Sequence, residues 1–193
     1  IPDNTGRQRH IGAAICYNIW AYLEATEDRD FLRDYGAELF FEIARFWSSL
    51  AQKRPDGRYG IRGVMGPDEF HTAYPGADPA AEGGIDNNAY TNVMVSWLDL
   101  IPPDQRGRLC KTLKLTDDEL ARWDDISRNL FIPIQEDGIV AQFEGYENLK
   151  EFPWDAFREK YDDLQRIDRI LEAEDEDANA YKVSKTAAFL MIF

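Results

Sequence analysis

Residues 10–50 read HIGAAICYNIWAYLEATEDRDFLRDYGAELFFEIARFWSSL, and this stretch decides the fold class. Its apolar residues recur at spacings of three and four, the period of an amphipathic helix. A polar joint at residues 26–30 divides the pattern into two long helices. The residues expected to face the core are Ile11, Ile15, Ile19, Tyr22 and Leu23 in the first helix, and Phe31, Leu32, Tyr35, Leu39, Ile43, Phe46, Trp47 and Leu50 in the second.

Loops and further helices follow this pair. The sequence Pro55-Asp56-Gly57 breaks the helical pattern, and residues 59–65 suit a small hairpin or an extended loop. Residues 74–84 are rich in Ala, Pro and Gly and predict a surface excursion. Asp86 or Asn87 is then expected to cap a helix. The residues expected to face inward on that helix are Ala89, Val93, Trp97 and Leu100.

The second half of the chain continues in the same way. Thr116 and Glu119 have the spacing of a capping box, which predicts the start of another helix. Residues 132–143 suit a second hairpin-like loop, and Ser184 is expected to cap a final apolar helix. The pattern predicts an all-α domain with hairpin-like loops, and periodicity leaves open whether it is a bundle or a toroid.

Composition excludes several classes of function. The chain has 193 residues, with 22 basic and 36 acidic side chains and a net charge of −14, which disfavours binding to nucleic acid or to a membrane surface. The substrate is therefore expected to be neutral or to be attracted by local groups. Cys16 and Cys110 stand apart without ligand spacing, so no metal site or disulfide is expected. This cysteine usage favours a reducing compartment, and we expect a cytoplasmic location.

One segment differs in kind from the rest: GVMGPDEFH at residues 63–71, followed by DNNAYTN at residues 86–92. Glycines and a proline fix the backbone around two adjacent carboxylates and a histidine. A carboxyl group beside Phe70, Tyr74 or Tyr90 would be partly desolvated, which raises its pKa toward that of a proton donor. Asparagines suit sugar hydroxyls. Residue types alone equally allow a non-functional interpretation, in which Asp68 caps a turn, Glu69 is a solvated acid and Asp86-Asn87 caps a helix.

These motifs closely resemble the signature of glycoside hydrolase family 65, which contains maltose, trehalose and kojibiose phosphorylases and acid trehalases. The flanking segments at residues 7–47 and 131–146 also resemble the family, so the resemblance covers most of the chain. It implies that residues 1–193 form a single partial domain, the central part of an (α/α)6 barrel. The family's N-terminal β-sandwich and C-terminal β domain would lie outside the chain.

The resemblance also implies the roles of individual residues. Glu69 falls on the general acid of the family, and Asp68 would support it. A Lys-Gln pair that contacts the sugar in the family matches Lys185 and Thr186, so the glutamine is replaced here. The positions expected to bind substrate are Asp68, His71, Asn87, Asn88, Lys185 and Thr186.

An inverting glycosidase needs an acid and a base, whereas a phosphorylase uses phosphate as its nucleophile and needs one protein carboxylate. With one clear acid, the sequence favours phosphorolysis of an α-linked glucose disaccharide, with phosphate as co-substrate and no other cofactor. A hydrolase and a non-catalytic fragment remain as alternatives. Association into a homo-oligomer is also expected, because a part of a barrel exposes apolar surface. The lesser candidates are His10 as a capping or packing residue, Glu144 as an exposed loop acid or as part of the pocket lining, and Trp154 as a stacking surface for sugar.

Overall fold

Helices are the main regular structure of residues 4–98 and 113–184, the part of the chain that this computed structural model describes. They are α1 (His10–Thr26), α2 (Arg29–Phe31), α3 (Ala37–Leu50), α4 (Ala89–Trp97), α5 (Asp117–Asn129), α6 (Trp154–Lys160) and α7 (Ile167–Ala173). A small antiparallel sheet pairs β1 (Gln52–Lys53) with β2 (Tyr59–Gly60). This mostly helical architecture agrees with the all-α prediction.

The main core lies between α1, α3, α4 and α5. Helices α1 and α3 run antiparallel, since Gly12 faces Ile43 and Gly36 faces Ile19. Helix α1 also packs against α4, and α5 packs against both α3 and α4. Large buried members of this core include Ile19, Phe40, Phe41, Trp47, Tyr90, Met94 and Ile126.

The predicted inward face of α1 is partly wrong. Ile11, Ile15 and Tyr22 are exposed, at 54%, 38% and 43%, and Ile19 is buried as expected. The face that contacts the core instead includes the small residues Ala13 and Cys16. Small side chains let neighbouring helices approach closely, so packing selects a face that the apolar stripe does not mark. Burial raises the pKa of the Cys16 thiol to about 12.

The predicted face of the second helix is also partly wrong, for a local reason. A π-helical turn at Leu32–Gly36 precedes α3, and the Ala37 N–H donates to the Leu32 carbonyl five residues earlier. This wider turn shifts the phase of a pattern counted at 3.6 residues per turn. As a result Tyr35, Leu39 and Phe46 are exposed, whereas Leu32 and Trp47 are buried as expected. The other buried positions of α3 are Ala37, Phe40, Phe41, Ala44 and Ser48.

Both predicted hairpin-like loops are present, but the first hairpin and the cap of α4 lie at other residues than predicted. The predicted breaker at 55–57 forms the turn of the first hairpin, so that hairpin begins before residue 59. The second hairpin-like loop is confirmed by an antiparallel bridge between Ile134 and Val140. Asn88, rather than Asp86 or Asn87, caps α4.

The inward residues of α4 also differ from the prediction. Ala89 is buried as expected, whereas Val93 and Trp97 are half-buried, and Met94 and Val95 are buried in their place. Leu100, Cys110 and the helix predicted after Ser184 lie outside the described residues. None of the described helices is long and apolar enough to cross a membrane.

An antiparallel bridge joins the two halves of the motif. The Val64 N–H donates to the Ile85 carbonyl at 3.0 Å, and the Ile85 N–H donates to the Val64 carbonyl at 2.8 Å. Gly84 has φ of +98°, and a Cβ built on it would lie 2.4 Å from the carbonyl carbon of Gly63. Only glycine fits at this position, because both the φ angle and the neighbouring backbone exclude a side chain.

The capping box at the start of α5 is confirmed. The Glu119 N–H donates to Thr116 Oγ1 at 3.2 Å, and the Thr116 N–H donates to Glu119 Oε2 at 3.0 Å. We predict that Thr116→Ala lowers the free energy of unfolding by about 1 kcal/mol, because it leaves a helix-terminal donor without its cap. Thr116→Ser keeps the hydroxyl and should remain close to wild type in urea denaturation. Equal losses for both variants would contradict this account.

Gly84→Ala should destabilise the fold much more than Gly138→Ala. Gly138 also has a positive φ, +84°, yet nothing lies within 4 Å of its hypothetical Cβ, so alanine there brings only the strain of about 1–2 kcal/mol. At Gly84 the backbone clash adds about 1–3 kcal/mol to the same strain. The unfolding midpoints of the two variants in urea give the comparison, and similar midpoints would rule out a close backbone approach.

Candidate active site

Glu69 stands on a turn with a strained backbone. Its φ is +63°, a left-handed conformation that is uncommon for residues other than glycine. The side chain is exposed, and Glu69 Oε1 accepts a hydrogen bond from Gln8 Nε2 at 3.0 Å. The expected desolvation by neighbouring aromatic rings is therefore not provided by the described residues. Strain of this kind persists where the surrounding structure imposes it, and such positions cluster at active sites.

Gly66 and Asn88 fix the loop that holds Glu69. A Cβ on Gly66 would lie 2.4 Å from Asn88 Nδ2, so the loop can rest on Asn88 only if residue 66 is glycine. Asn88 Oδ1 accepts from the Thr91 N–H at 3.0 Å and Asn88 Nδ2 donates to the Gln142 carbonyl at 3.1 Å. One side chain therefore supports the acid loop and caps α4.

Gln8 and His10, at the start of α1, complete the surroundings of Glu69. His10 Nδ1 lies 3.2 Å from the Met65 carbonyl oxygen, and the His10 ring stands edge-on to Tyr90. Burial lowers the pKa of His10, against the opposing effects of the Met65 hydrogen bond and the charge of Glu69. His10 is thus a packing residue, as expected. Gln8 was not predicted, because no local pattern signals a contact across 61 residues.

Asp68 and His71 form a buried pair beneath the loop. Asp68 is 4% exposed and His71 is 2% exposed. His71 Nδ1 lies 2.7 Å from Asp68 Oδ2, and Nε2 lies 3.0 Å from the carbonyl oxygen of Tyr181. Asp68 and His71 therefore form hydrogen bonds within the protein. Direct contact of either side chain with a sugar stays a prediction.

The Asn87 side chain also forms several hydrogen bonds within the protein. It has φ of +50°, and its Oδ1 accepts from the Ile61 N–H at 2.9 Å and from Asn92 Nδ2 at 3.2 Å. Its Nδ2 donates to Glu144 Oε2 at 2.5 Å. The side chain thereby connects residues near the first hairpin, α4 and the 131–146 segment. Its predicted role in binding substrate is not tested by these contacts.

Glu144 is a half-buried ion-pair partner, so the expectation of an exposed loop acid is corrected. Arg54 Nη1 and Nη2 lie 2.8 and 2.9 Å from its two oxygens, and the hydrogen bonds from Arg54 hold the pKa of Glu144 below its usual value. The Arg54 guanidinium also stacks over Phe131 at 4.0 Å. A cavity of about 520 Å³ opens beside Glu144, and the described residues that line it all fall within residues 131–147. Glu69 is not among them.

The remaining candidates are less informative. Lys185 and Thr186 lie outside the described residues, so their predicted sugar contacts are not tested. Trp154 is 43% exposed at the start of α6, where Arg158 lies over its ring. In residues 4–98 and 113–184, no three His, Cys, Asp or Glu side chains are grouped so that they could hold a metal ion.

Comparisons with known proteins match this arrangement to one family. The family model described as the glycosyl hydrolase family 65 central catalytic domain matches residues 1–193. An uncharacterised glycosyl hydrolase of Mycobacterium tuberculosis is 50% identical over 200 residues, which cover 99% of this chain and 15% of the relative. Trehalose 6-phosphate phosphorylase of Lactococcus lactis is 42% identical over 192 residues, which cover 99% of this chain and 24% of the relative.

A solved structure shares the fold. A putative kojibiose phosphorylase from the human microbiome superposes with a TM-score of 0.70 at 24% sequence identity, over 94% of this chain and 23% of that chain. The chain thus spans less than a quarter of the length of these proteins. With the motifs at 63–71 and 86–92 and a family match over its full length, the chain belongs to glycosyl hydrolase family 65, within the central catalytic domain.

Proposed function

We propose that the protein containing this chain is an inverting phosphorylase of α-linked glucose disaccharides, with Glu69 as its general acid. The observation that supports this proposal is that three carboxylates differ in burial and in pairing. Asp68 is buried against His71, and Glu144 is paired with Arg54, whereas Glu69 is exposed on a strained turn. Of the three, Glu69 is the most exposed, which favours its contact with a bound sugar.

A single acid suits phosphorolysis. The Glu69 carboxyl group donates its proton to the glycosidic oxygen as the bond from that oxygen to the anomeric carbon breaks. Phosphate attacks the anomeric carbon from the opposite face of the ring, and the leaving sugar departs as a free hydroxyl compound. Inversion converts an α-glucoside into β-glucose 1-phosphate. A water nucleophile would instead need a carboxylate base, and Asp68 and Glu144 are already held by their partners.

Several further features belong to the same proposal. A bound disaccharide would exclude water from Glu69 and supply the desolvation that the loop alone lacks. Lys185 and Thr186 are proposed to contact the sugar. The structural similarity to a putative kojibiose phosphorylase supports placing the chain in an (α/α)6 barrel. The names of the relatives support a disaccharide or a disaccharide phosphate as substrate.

Dependence on phosphate tests the reaction class. The complete natural protein is incubated with trehalose, kojibiose, maltose or trehalose 6-phosphate, each with and without inorganic phosphate. We expect one of these to yield a sugar 1-phosphate of β configuration, measured by proton NMR, only when phosphate is present. Free glucose released without phosphate would establish the hydrolase alternative, and no product under either condition would favour the non-catalytic one.

Glu69→Gln tests the acid. The amide keeps the size of the side chain but has no proton to donate to the glycosidic oxygen, so kcat for the disaccharide should fall about 10²- to 10⁴-fold. Glu82→Gln, at an exposed carboxylate on the 74–84 excursion, should leave kcat unchanged. Turnover of α-glucosyl fluoride, whose leaving group needs no protonation, should survive far better in Glu69→Gln. A loss of only a few-fold on the disaccharide would remove Glu69 from this role.

A further inference from the structure

His71 has a hydrogen-bond acceptor at each of its two ring nitrogens. A carbonyl oxygen cannot donate, so the Nε2 facing Tyr181 must carry a hydrogen. The contact of 2.7 Å between Nδ1 and Asp68 requires a second, shared proton. The buried pair is therefore joined by a short hydrogen bond, and the His71 ring is held at both of its nitrogens.

Fold stability gives little reason for a buried polar pair at this position. The ring packs near Phe143 and Tyr146, with ring centres 5.0 and 5.8 Å apart, and an apolar side chain could fill the same space. Well-packed apolar replacements of buried ion pairs are often neutral or stabilising. What an apolar side chain could not provide is the pair of directional hydrogen bonds, which fix the position of the loop.

Asn179 makes a second tie between the same two segments. Its Oδ1 accepts from the N–H groups of Thr72 at 2.8 Å and Ala73 at 3.2 Å. Asp177 Oδ1 in turn accepts from the Asn179 N–H and from Asn179 Nδ2, both at 2.9 Å, which orients the amide. Together with the His71 contact, these bonds join residues that are 106 to 110 positions apart in the chain.

The two joined segments are the turn that carries Glu69 and residues 179–181. Glu69 lies between Asp68 and His71, so the pair holds the acid's turn from both sides. Tyr181 lies in the segment that runs directly into Lys185. The Lys150 N–H donates to the Ala180 carbonyl at 2.9 Å, and the Lys182 N–H donates to the Lys150 carbonyl at 2.8 Å, which supports this segment from its other edge.

We propose that His71 is a positioning residue for Glu69: it locks the acid's turn to the 179–181 segment, so that Glu69 is held in one place. The proposal rests on the proposed function in assigning the acid role to Glu69. His71 acts through the loop and does not touch the substrate. Its effect should therefore be confined to the step that needs a proton from Glu69.

The test compares two substrates in the complete natural protein. His71→Gln keeps one donor and loses the second, so the turn should shift. We expect kcat for the disaccharide to fall about 10- to 100-fold, because small misplacements of a catalytic group have effects of this size, with KM nearly unchanged. Turnover of α-glucosyl fluoride needs no proton from Glu69. The ratio of disaccharide to fluoride turnover should therefore fall about 10-fold or more.

A matched control separates positioning from general loosening. Thr116→Ala removes the cap of α5 and should lower stability, and the cap's hydrogen bonds join Thr116 to Glu119 rather than to the Glu69 turn. This variant should leave the ratio of the two turnover rates at the wild-type value. If His71→Gln lowers both reactions equally, as a structural defect would, the positioning role is overturned.

The experiments distinguish failure of the positioning role of His71 from failure of the acid role of Glu69. If Glu69→Gln retains its disaccharide activity, the acid assignment fails whatever His71 does. If Glu69→Gln is inactive on the disaccharide and His71→Gln keeps the wild-type ratio, only the positioning role fails. Solvent exchange of the His71 ring hydrogens, followed by NMR, tests the premise without any turnover: hydrogens held in buried hydrogen bonds to Asp68 and Tyr181 should exchange slowly, and fast exchange would contradict those bonds.

Discussion

Two backbone hydrogen bonds between Val64 and Ile85 join the halves of the motif, and the candidate site extends outward from them. The bridge closes the 74–84 excursion and brings the Glu69 turn over the start of α4. It requires Gly84 in a conformation and at a backbone distance that exclude a side chain. From this junction, Asn87 and Asn88 connect to the first hairpin, to α4 and to the 131–146 segment, so that loops distant in sequence form one support.

The polar residues of the motif are mostly used for this support. Four of them are buried and form hydrogen bonds within the protein: Asn87, Asn88, Asp68 and His71. A network of this kind is stable only when its members are paired, and it then specifies one arrangement of the loops. The result is that Glu69, the exposed carboxylate on the turn, is held in a strained conformation by residues that do not themselves need to touch a ligand.

Local features of the fold could be predicted from the sequence. The capping box at Thr116 and Glu119, the breaker at 55–57 and the existence of the long helices follow from interactions within a few residues. The faces of the helices were less predictable. The π-helical turn at Leu32–Gly36 moved the phase of α3, and close packing on Ala13 and Cys16 turned the larger residues of α1 outward.

The candidate site shows the same division. Its motif, its candidate acid and its family could be identified from residues 63–71 and 86–92, because turn chemistry and signature residues are written contiguously in the chain. The contacts of Gln8 with Glu69, Arg54 with Glu144 and His71 with Tyr181 could not, since each joins residues 61 to 110 positions apart. Such contacts depend on how distant parts of the chain pack together. Sequences with the same local pattern could fold without forming them. The sequence by itself determined which chemical groups are present and on which turns they stand. Tertiary packing decided that Asp68 is buried, that Glu144 is paired with Arg54 and that Glu69 is exposed.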